Sequence, residues 1–204
     1  TDSDAVNYPF PLDNSVYAPH IYTDVFIDGW ADRDADKLRA SISAAAAEAQ
    51  AHGAALMIGE FGHDPTTALG REWIGVALPA LDSVQGSWAF WVFEEWGQGQ
   101  WGLFDVAEGP GRGALRPEAA ALLARPFPQA VDGQLAGFSW DVAARRLTVE
   151  LAGAGSGAHI LSAPRWVFPD GVAVTCDGEA AAVTVIGGRA EVACEGQVLV
   201  MGAR

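Results

Sequence analysis

An apolar run from Ala54 to Ile58 ends abruptly at Gly59-Glu60-Phe61-Gly62, and this ending constrains the fold more than any other stretch of the chain. A short apolar run bounded by glycine predicts a buried strand. A single carboxylate at its carboxyl end, between glycines that let the backbone turn without crowding a ligand, is how a barrel strand presents a catalytic acid. Taken alone the pattern also describes a solvated loop acid, so its neighbours decide. Upstream, Asn14 to Tyr22 predicts a strand after a lead-in punctuated by Pro9 and Pro11. Asp32 to His52 predicts a helix: aspartates favour its amino end, alanines fill its body, and Gly53 stands where it should stop. Strand, helix, strand with short connections predicts a parallel crossover unit.

A second helix is expected from Thr66 to about Asp82, with Leu69, Trp73, Val76, Ala77 and Leu81 on its apolar face and a kink or early end at Pro79. Ser87 to Phe93 is the next strand. It runs into Glu94-Glu95-Trp96-Gly97-Gln98-Gly99-Gln100-Trp101, a loop that is polar, acidic and aromatic at once. Gly102 to Asp105 reads as a short extended piece, and Arg116 to Ala124 as a last helix with Pro117 in its first turn. After Arg125-Pro126-Phe127-Pro128 the periodicity changes. Short alternating or β-branched runs follow at Phe138 to Val142, Arg146 to Leu151, His159 to Leu161, Val172 to Thr175, Val183 to Ile186, Glu191 to Ala193 and Val198 to Met201. Asp170-Gly171, Asp177-Gly178 and Gly187-Gly188 separate several of them as turns. The expected organisation is therefore α/β plus all-β: an α/β part over residues 1–128, then a small antiparallel β-sandwich over 129–204 with Trp140 and Trp166 in its core.

The net charge of -14 is concentrated in the first part, where eighteen acids oppose seven bases. Such a surface repels nucleic acid and anionic membrane, whose binding rests on Lys and Arg at phosphate, and suits a neutral ligand. No apolar run approaches the roughly 20 residues of a bilayer span. No Cys/His group has zinc spacing and no glycine-rich loop follows a strand in the phosphate-binding pattern, so neither metal nor cofactor is expected. The chain starts at Thr1 without a basic-then-apolar leader, so any secretion signal is expected to have been removed or to lie outside this piece. Cys176 and Cys194, expected on neighbouring strands, fit one disulfide, which implies an oxidising, secreted or extracellular setting, or two buried thiols.

His20 and Tyr22, two apart on an extended segment, share one side of it. Three strand ends can then be read together: Tyr17-Ala18-Pro19-His20-Ile21-Tyr22, Ile58-Gly59-Glu60-Phe61-Gly62 and Trp88-Ala89-Phe90-Trp91. In that order and spacing they resemble the sixth, seventh and eighth strands of the glycoside hydrolases of family five, retaining enzymes built on an eight-stranded (β/α)8 TIM barrel. The run from Arg125 to Gly133, followed by a sandwich, is similar to the endoglycoceramidase-like branch. The resemblance covers about residues 14 to 200.

It implies a retaining β-glycosidase with Glu60 as nucleophile, acting on a β-glucoside, a glycolipid or a β-glucan. His20 and Tyr22 become the pair that hydrogen-bonds sugar and nucleophile, and Trp91 the aromatic beneath the sugar at the scissile bond. Glu94 and Trp96, in the following loop, are expected to contact substrate. The physics agrees, because a phenol donor favours the ionised nucleophile against the opposing effect of burial. An indole offers a sugar's C–H face a broad apolar surface. Trp88 reads as packing, while His63 and Asp64 either line the cleft or cap the following helix.

Retention needs two carboxyl groups about 5 to 5.5 Å apart. In the family the acid/base is the Glu of an Asn-Glu-Pro-type segment at the end of strand four, and this sequence contains no such segment. The chain is therefore expected to be the carboxyl-terminal part of a barrel, which three strands cannot close, and to be competent only with an amino-terminal barrel half from the same or another chain. Glu94 and Glu95 remain available for proton donation, for gripping sugar hydroxyls or for solvation. The alternative is a non-catalytic carbohydrate- or glycolipid-binding protein that uses Trp91, Trp96 and Trp101 as its surface. A barrel piece alone would also expose sheet edges that invite aggregation.

Overall fold

Parallel strands and helices alternate through the first part of the chain, and antiparallel strands fill the second. The computed structural model describes residues 12–26, 35–94, 101–106, 112–153 and 157–204, and the chain divides into two units, Thr1–Ala119 and Ala120–Arg204. In the first, β1 (Val16–Tyr17) and β2 (His20–Ile21) pair in parallel, one after the other, with β3 (Ala55–Phe61), and β4 (Ser87–Phe90) pairs in parallel with β3. The strand expected from Asn14 to Tyr22 is thus two short pieces. Pro19, between them, has no N–H to give, but its carbonyl accepts from Gly59 N (2.9 Å) and keeps the segment against β3.

Helix α1 (Ala35–Ala51) buries Leu38, Ile42, Ala45 and Ala49, the spacing of one helical face. Its expected start at Asp32 lies outside the described residues. Its end is as expected: Gly53 adopts φ 64°, Gly53 N donates to Gln50 O (3.0 Å) and Ala54 N to Ala49 O (2.9 Å), the paired closure that a left-handed glycine allows. Helix α2 (Ala68–Ser83) begins at Thr67, whose side chain accepts from Gly70 N at 2.9 Å. It neither stops at Pro79 nor uses Val76 as its buried face. Ile74, Ala77, Leu78 and Leu81 are buried on both sides of the proline. The proline costs a helix about 3 kcal/mol, whereas each fully buried leucine contributes about 1.5–3 kcal/mol.

Both helices serve one face of the parallel sheet, where Ile21, Ile58 and Phe61 meet Leu38, Ile42, Trp73, Ala77 and Leu81. The opposite face is open: Val16, paired with Ala55, is exposed, and so is Met57, paired with Ser87.

Helix α3 (Pro117–Leu123) starts on its proline. In the second unit, β6 (Leu135–Asp141), β7 (Arg146–Leu151), β9 (Val172–Cys176), β10 (Glu179–Ala180) and β13 (Val198–Ala203) form a five-stranded sheet in the order β10-β9-β13-β7-β6. A four-stranded sheet has the order β11-β12-β8-β5, from β5 (Pro128–Ala130), β8 (Ala158–Ser162), β11 (Val183–Ile186) and β12 (Arg189–Ala193). All pairings in both are antiparallel. Leu147, Val149, Val174, Leu199 and Met201 of one sheet and Leu161, Ala190 and Val192 of the other belong to a single buried cluster. Two of the three turn signals are two-residue hairpin turns, Asp177-Gly178 and Gly187-Gly188, with positive φ at both positions, whereas Asp170-Gly171 lies in the turn segment before β9 and only Gly171 has positive φ.

The cysteines form a disulfide, Cys176–Cys194, which joins β9 of one sheet to the end of β12 in the other rather than neighbouring strands. Trp140 packs on the core, edge-on to Phe168 (5.9 Å). The placement of Trp166 in that core is corrected. Pro164 O accepts from both Val167 N and Phe168 N (2.9 Å), a turn that buries those two side chains and leaves Trp166 56% exposed at its tip. Among the described residues no helix is long and apolar enough to cross a membrane.

Candidate active site

The site begins with an extra residue. Against β4, Ile58 pairs with Trp88 and Phe61 with Phe90; against the other neighbours, Leu56 pairs with Tyr17 and Glu60 with His20. On both sides β3 therefore spends one residue more than its partner, a bulge centred on Gly59-Glu60. A bulge re-aims a side chain. Here it lets Ile58 and Phe61, which strict alternation would put on opposite faces, both enter the helix-covered core. Glu60 turns to the open face with its pairing partner His20. The bulge is tight at Gly59, where a Cβ would stand 3.2 Å from Ala18 O and from the His20 ring.

Glu60 Oε2 accepts from the Tyr22 hydroxyl at 3.1 Å and lies 3.2 Å from His20 Nδ1. Among the described residues Oε1 takes no hydrogen bond, so both contacts converge on one oxygen of the carboxylate. The Tyr22 phenol is pushed well above the ordinary tyrosine range, first by burial and then by its hydrogen bond to the Glu60 carboxylate and that group's charge. It therefore remains a donor throughout the neutral range.

Gly62 explains the second glycine of the motif. A Cβ on it would lie 2.1 Å from the Trp91 carbonyl oxygen, and Trp91 N donates to Phe61 O at 2.8 Å. The strand after β3 can approach this closely only because position 62 has no side chain. Phe90 packs edge-on against Phe61 in the core (5.6 Å), so alternation directs half-exposed Trp91 to the side of the sheet that carries Glu60. The peptide between Trp91 and Val92 is cis.

Of the expected residues, His20 and Tyr22 each contact Glu60, while strand alternation alone assigns Trp91 to their side. Glu94 does not meet them. Its carboxylate takes the Arg112 Nε at 2.8 Å, and the Arg112 guanidinium lies over the rings of Phe93 (5.1 Å) and Phe104 (4.7 Å). Trp96 and Glu95 lie outside the described residues. Asp64 serves the turn before α2, its Oδ1 accepting from Thr66 N (2.8 Å) and Thr66 Oγ1 (2.6 Å), and His63 is buried. Among the described residues no cluster of three His, Cys, Asp or Glu side chains could hold a metal ion.

The sequence reading missed Arg112, which follows a Gly-Pro-Gly run with no periodicity to mark it. It also left Trp101 apart from the catalytic group, although the Trp101 ring lies 6.1 Å from that of Tyr22. The bulge had a readable signal in Gly59, since a glycine inside a strand pattern marks such irregularities.

Residues 1–96 match the family described as Cellulase (glycosyl hydrolase family 5), and residues 125–201 match the Glycoside hydrolase family 5 C-terminal domain. Among solved structures, endo-glycoceramidase II from Rhodococcus sp. in its five-membered iminocyclitol complex is 20% identical with a TM-score of 0.69, over 93% of this chain and 43% of that one. An endogalactoceramidase is 19% identical with a TM-score of 0.61, over 93% and 42%. Sterylglucosidase 1 of Cryptococcus neoformans is 11% identical with a TM-score of 0.60, over 83% and 32%. The chain thus spans less than half the length of each of these structures. No curated sequence matches it. At these identities the structures speak for the fold alone, while the two family matches lie on the two parts of the chain in sequence order. The chain belongs to glycoside hydrolase family 5.

Proposed function

We propose that Glu60 is the nucleophile of a retaining β-glycosidase, that residues 1–128 supply strands six to eight of its barrel, and that residues 129–204 follow as a β-sandwich. The observation that carries this reading is the Glu60 carboxylate on the open sheet face, with one oxygen held by Tyr22 (3.1 Å) and beside His20 (3.2 Å). In double displacement, a Glu60 oxygen bonds to the anomeric carbon as the bond to the aglycone oxygen breaks, and a general acid protonates that oxygen. Water, deprotonated by the same group, then cleaves the glycosyl ester and restores the carboxylate. Tyr22 and His20 fix the nucleophile, and Trp91 lies beneath the sugar. Glu94 and Trp96 contact its hydroxyls and faces from the following loop.

The acid/base comes from an amino-terminal barrel half. Two features support this: the face bearing Val16, Met57 and Glu60 is uncovered, and β2 and β4 pair with no described strand other than β3. A glycolipid is favoured over a β-glucan because the similar structures include endo-glycoceramidase II, one of them a ganglioside GM3 complex, and endogalactoceramidase. The Cys176–Cys194 disulfide supports a secreted setting.

The test is covalent trapping with a 2,4-dinitrophenyl 2-deoxy-2-fluoro-β-glucoside, whose leaving group needs no protonation. It is applied to the chain complemented with an amino-terminal barrel half. One adduct is expected, on the peptide containing Glu60, and none in Glu60→Gln. An adduct on a different carboxylate, or hydrolysis that survives Glu60→Gln, sinks the assignment.

A further inference from the structure

The five arginines among residues 129–204 are scattered in sequence, yet strand register gathers them at one end of the two sheets of the second unit. Arg145 and Arg146 close the turn between β6 and β7, where Arg146 pairs with Asp141 and with Gly202. The next residue, Ala203, pairs with Val172, and Arg204 N donates to Gly171 O at 3.3 Å. Gly171 ends the segment that carries Arg165 and Trp166. Ala163, where that segment begins, donates its N–H to Gly188 O at 2.7 Å, beside Arg189. The β6–β7, β8–β9 and β11–β12 connections therefore adjoin. All five arginines are exposed, and none forms an ion pair among the described residues.

Of the eight acids in the same stretch only Asp141 and Asp170 share that end, and the Asp141 carboxylate is engaged by Ala144 N at 2.8 Å. Glu191 stands in mid-strand. Asp132, Glu150, Asp177, Glu179 and Glu195 lie at the opposite end, by their pairing or bonding with His159, Val198 and Cys176 or their place after β12. The charge of -14, which taken over the whole chain predicts repulsion from anionic surfaces, thus conceals a basic end.

The same three connections carry exposed apolar side chains, Val142 (65%), Trp166 (56%) and Ile186 (62%). Trp166 is presented on a turn whose next two residues, Val167 and Phe168, are buried. Nucleic acid would use the arginines, but it offers no hydrocarbon to Val142 and Ile186. A bilayer with anionic headgroups uses both sets. Its phosphates and carboxylates take the guanidinium groups, the indole suits the headgroup level, and the aliphatic side chains reach the acyl boundary.

We propose that this end of the second unit docks on the surface of an anionic lipid bilayer, with the arginines on headgroups and Trp166, Ile186 and Val142 entering the interface. Docking uses no residue of the Glu60 site, so it stands or falls apart from the nucleophile assignment and from the choice of substrate.

The full chain is sedimented with vesicles of phosphatidylcholine alone and of an equal mixture with phosphatidylserine. Binding to the mixed vesicles is expected to be at least about tenfold tighter and to weaken as salt rises. Arg146→Gln combined with Arg165→Gln should weaken it about fivefold for each arginine withdrawn. Trp166→Ser should weaken it while leaving the salt dependence unchanged. Arg39→Gln, at an exposed arginine of α1, should leave it as it was. The substituted positions are exposed, and an unchanged denaturant midpoint verifies that each variant folds. Equal or absent binding to the two vesicle types, or binding indifferent to the paired arginine substitutions, overturns the proposal. So does loss of binding once an amino-terminal barrel half is added, which would make this end an internal face of the larger protein. Tighter binding to a DNA duplex than to mixed vesicles, untouched by Trp166→Ser, would replace the bilayer with nucleic acid.

Discussion

The Tyr22 hydroxyl donates to Glu60 Oε2 over 3.1 Å between adjacent strand ends, and the contact exists because a bulge in β3 turns Glu60 to the face that His20 and Tyr22 share. Tyr22→Phe keeps the ring, with its packing on Phe26 and Trp101, and deletes only the donor. Removing one pre-oriented donor from a reacting charge typically lowers kcat by about 10²–10³. A loss of that size is expected in dinitrophenolate release by the complemented enzyme. A variant within a factor of about three of the parent would show that the hydrogen bond is structural.

Gly62→Ala tests how β3 and the chain beyond β4 are joined. The added methyl would stand 2.1 Å from the Trp91 carbonyl oxygen, which is backbone and cannot rotate away. Something must move, and the adjacent bond from Trp91 N to Phe61 O is the first casualty. Overpacking of this kind costs about 1–3 kcal/mol. The denaturant midpoint should fall accordingly, with an altered environment for Trp91. An unchanged midpoint would mean that the two segments are not in contact.

Two of the chain's three tyrosines should ionise late. Tyr17 is pushed up to about 12, chiefly by its hydrogen bond to Glu48, then by burial and the charge of Glu48. Tyr22 is also raised, by burial first and Glu60 second. The fold thus prefers the protonated phenol. Its contribution is whole below the unfolded value of about 10 and is lost as pH rises through the folded value. Stability should decline above pH about 10, and Tyr17→Phe should flatten that decline. Phenolate absorbance should show at most one tyrosine ionised before unfolding begins; early ionisation of two or more would contradict the geometry.

What could be read from the sequence follows from where each signal resides. Gly53, Thr67 and the Asp-Gly and Gly-Gly pairs act through backbone conformation or local hydrogen bonds, so their neighbours in sequence suffice to place them. The contact of His20 and Tyr22 with Glu60 was legible for a different reason, the resemblance of three strand ends to one family. Trp166 was misplaced because hydrophobicity alone does not say which residue occupies a turn's tip, and the carbonyl of Pro164 settles that. The pairing of Glu94 with Arg112 and the approach of Trp101 to Tyr22 were illegible. Each joins segments far apart in sequence, and no periodic pattern marks either partner. The run of α2 through Pro79 shows tertiary burial overriding a local breaker.

In the second unit the disulfide and His159 converge on one short segment. Cys194 is bonded to Cys176 across the two sheets, and the Cys194 carbonyl lies 2.9 Å from Nε2 of fully buried His159. Nδ1 of the same ring accepts from Asp132 N at 3.3 Å, so Nε2 carries the hydrogen and donates to that carbonyl. Closing a loop of this size stabilises by about 3 kcal/mol, so reduction should lower the unfolding free energy by about that amount. His159→Phe conserves much of the volume but strands a buried carbonyl and an N–H, at about 1–3 kcal/mol for each group left unpaired. Because both changes release the same segment, their effects should not add: reducing the His159→Phe variant should cost less than reducing the parent. Denaturant unfolding of the parent and the variant, each with and without reductant, measures all four states. Strict additivity would show that the disulfide and the imidazole hold the sheets independently.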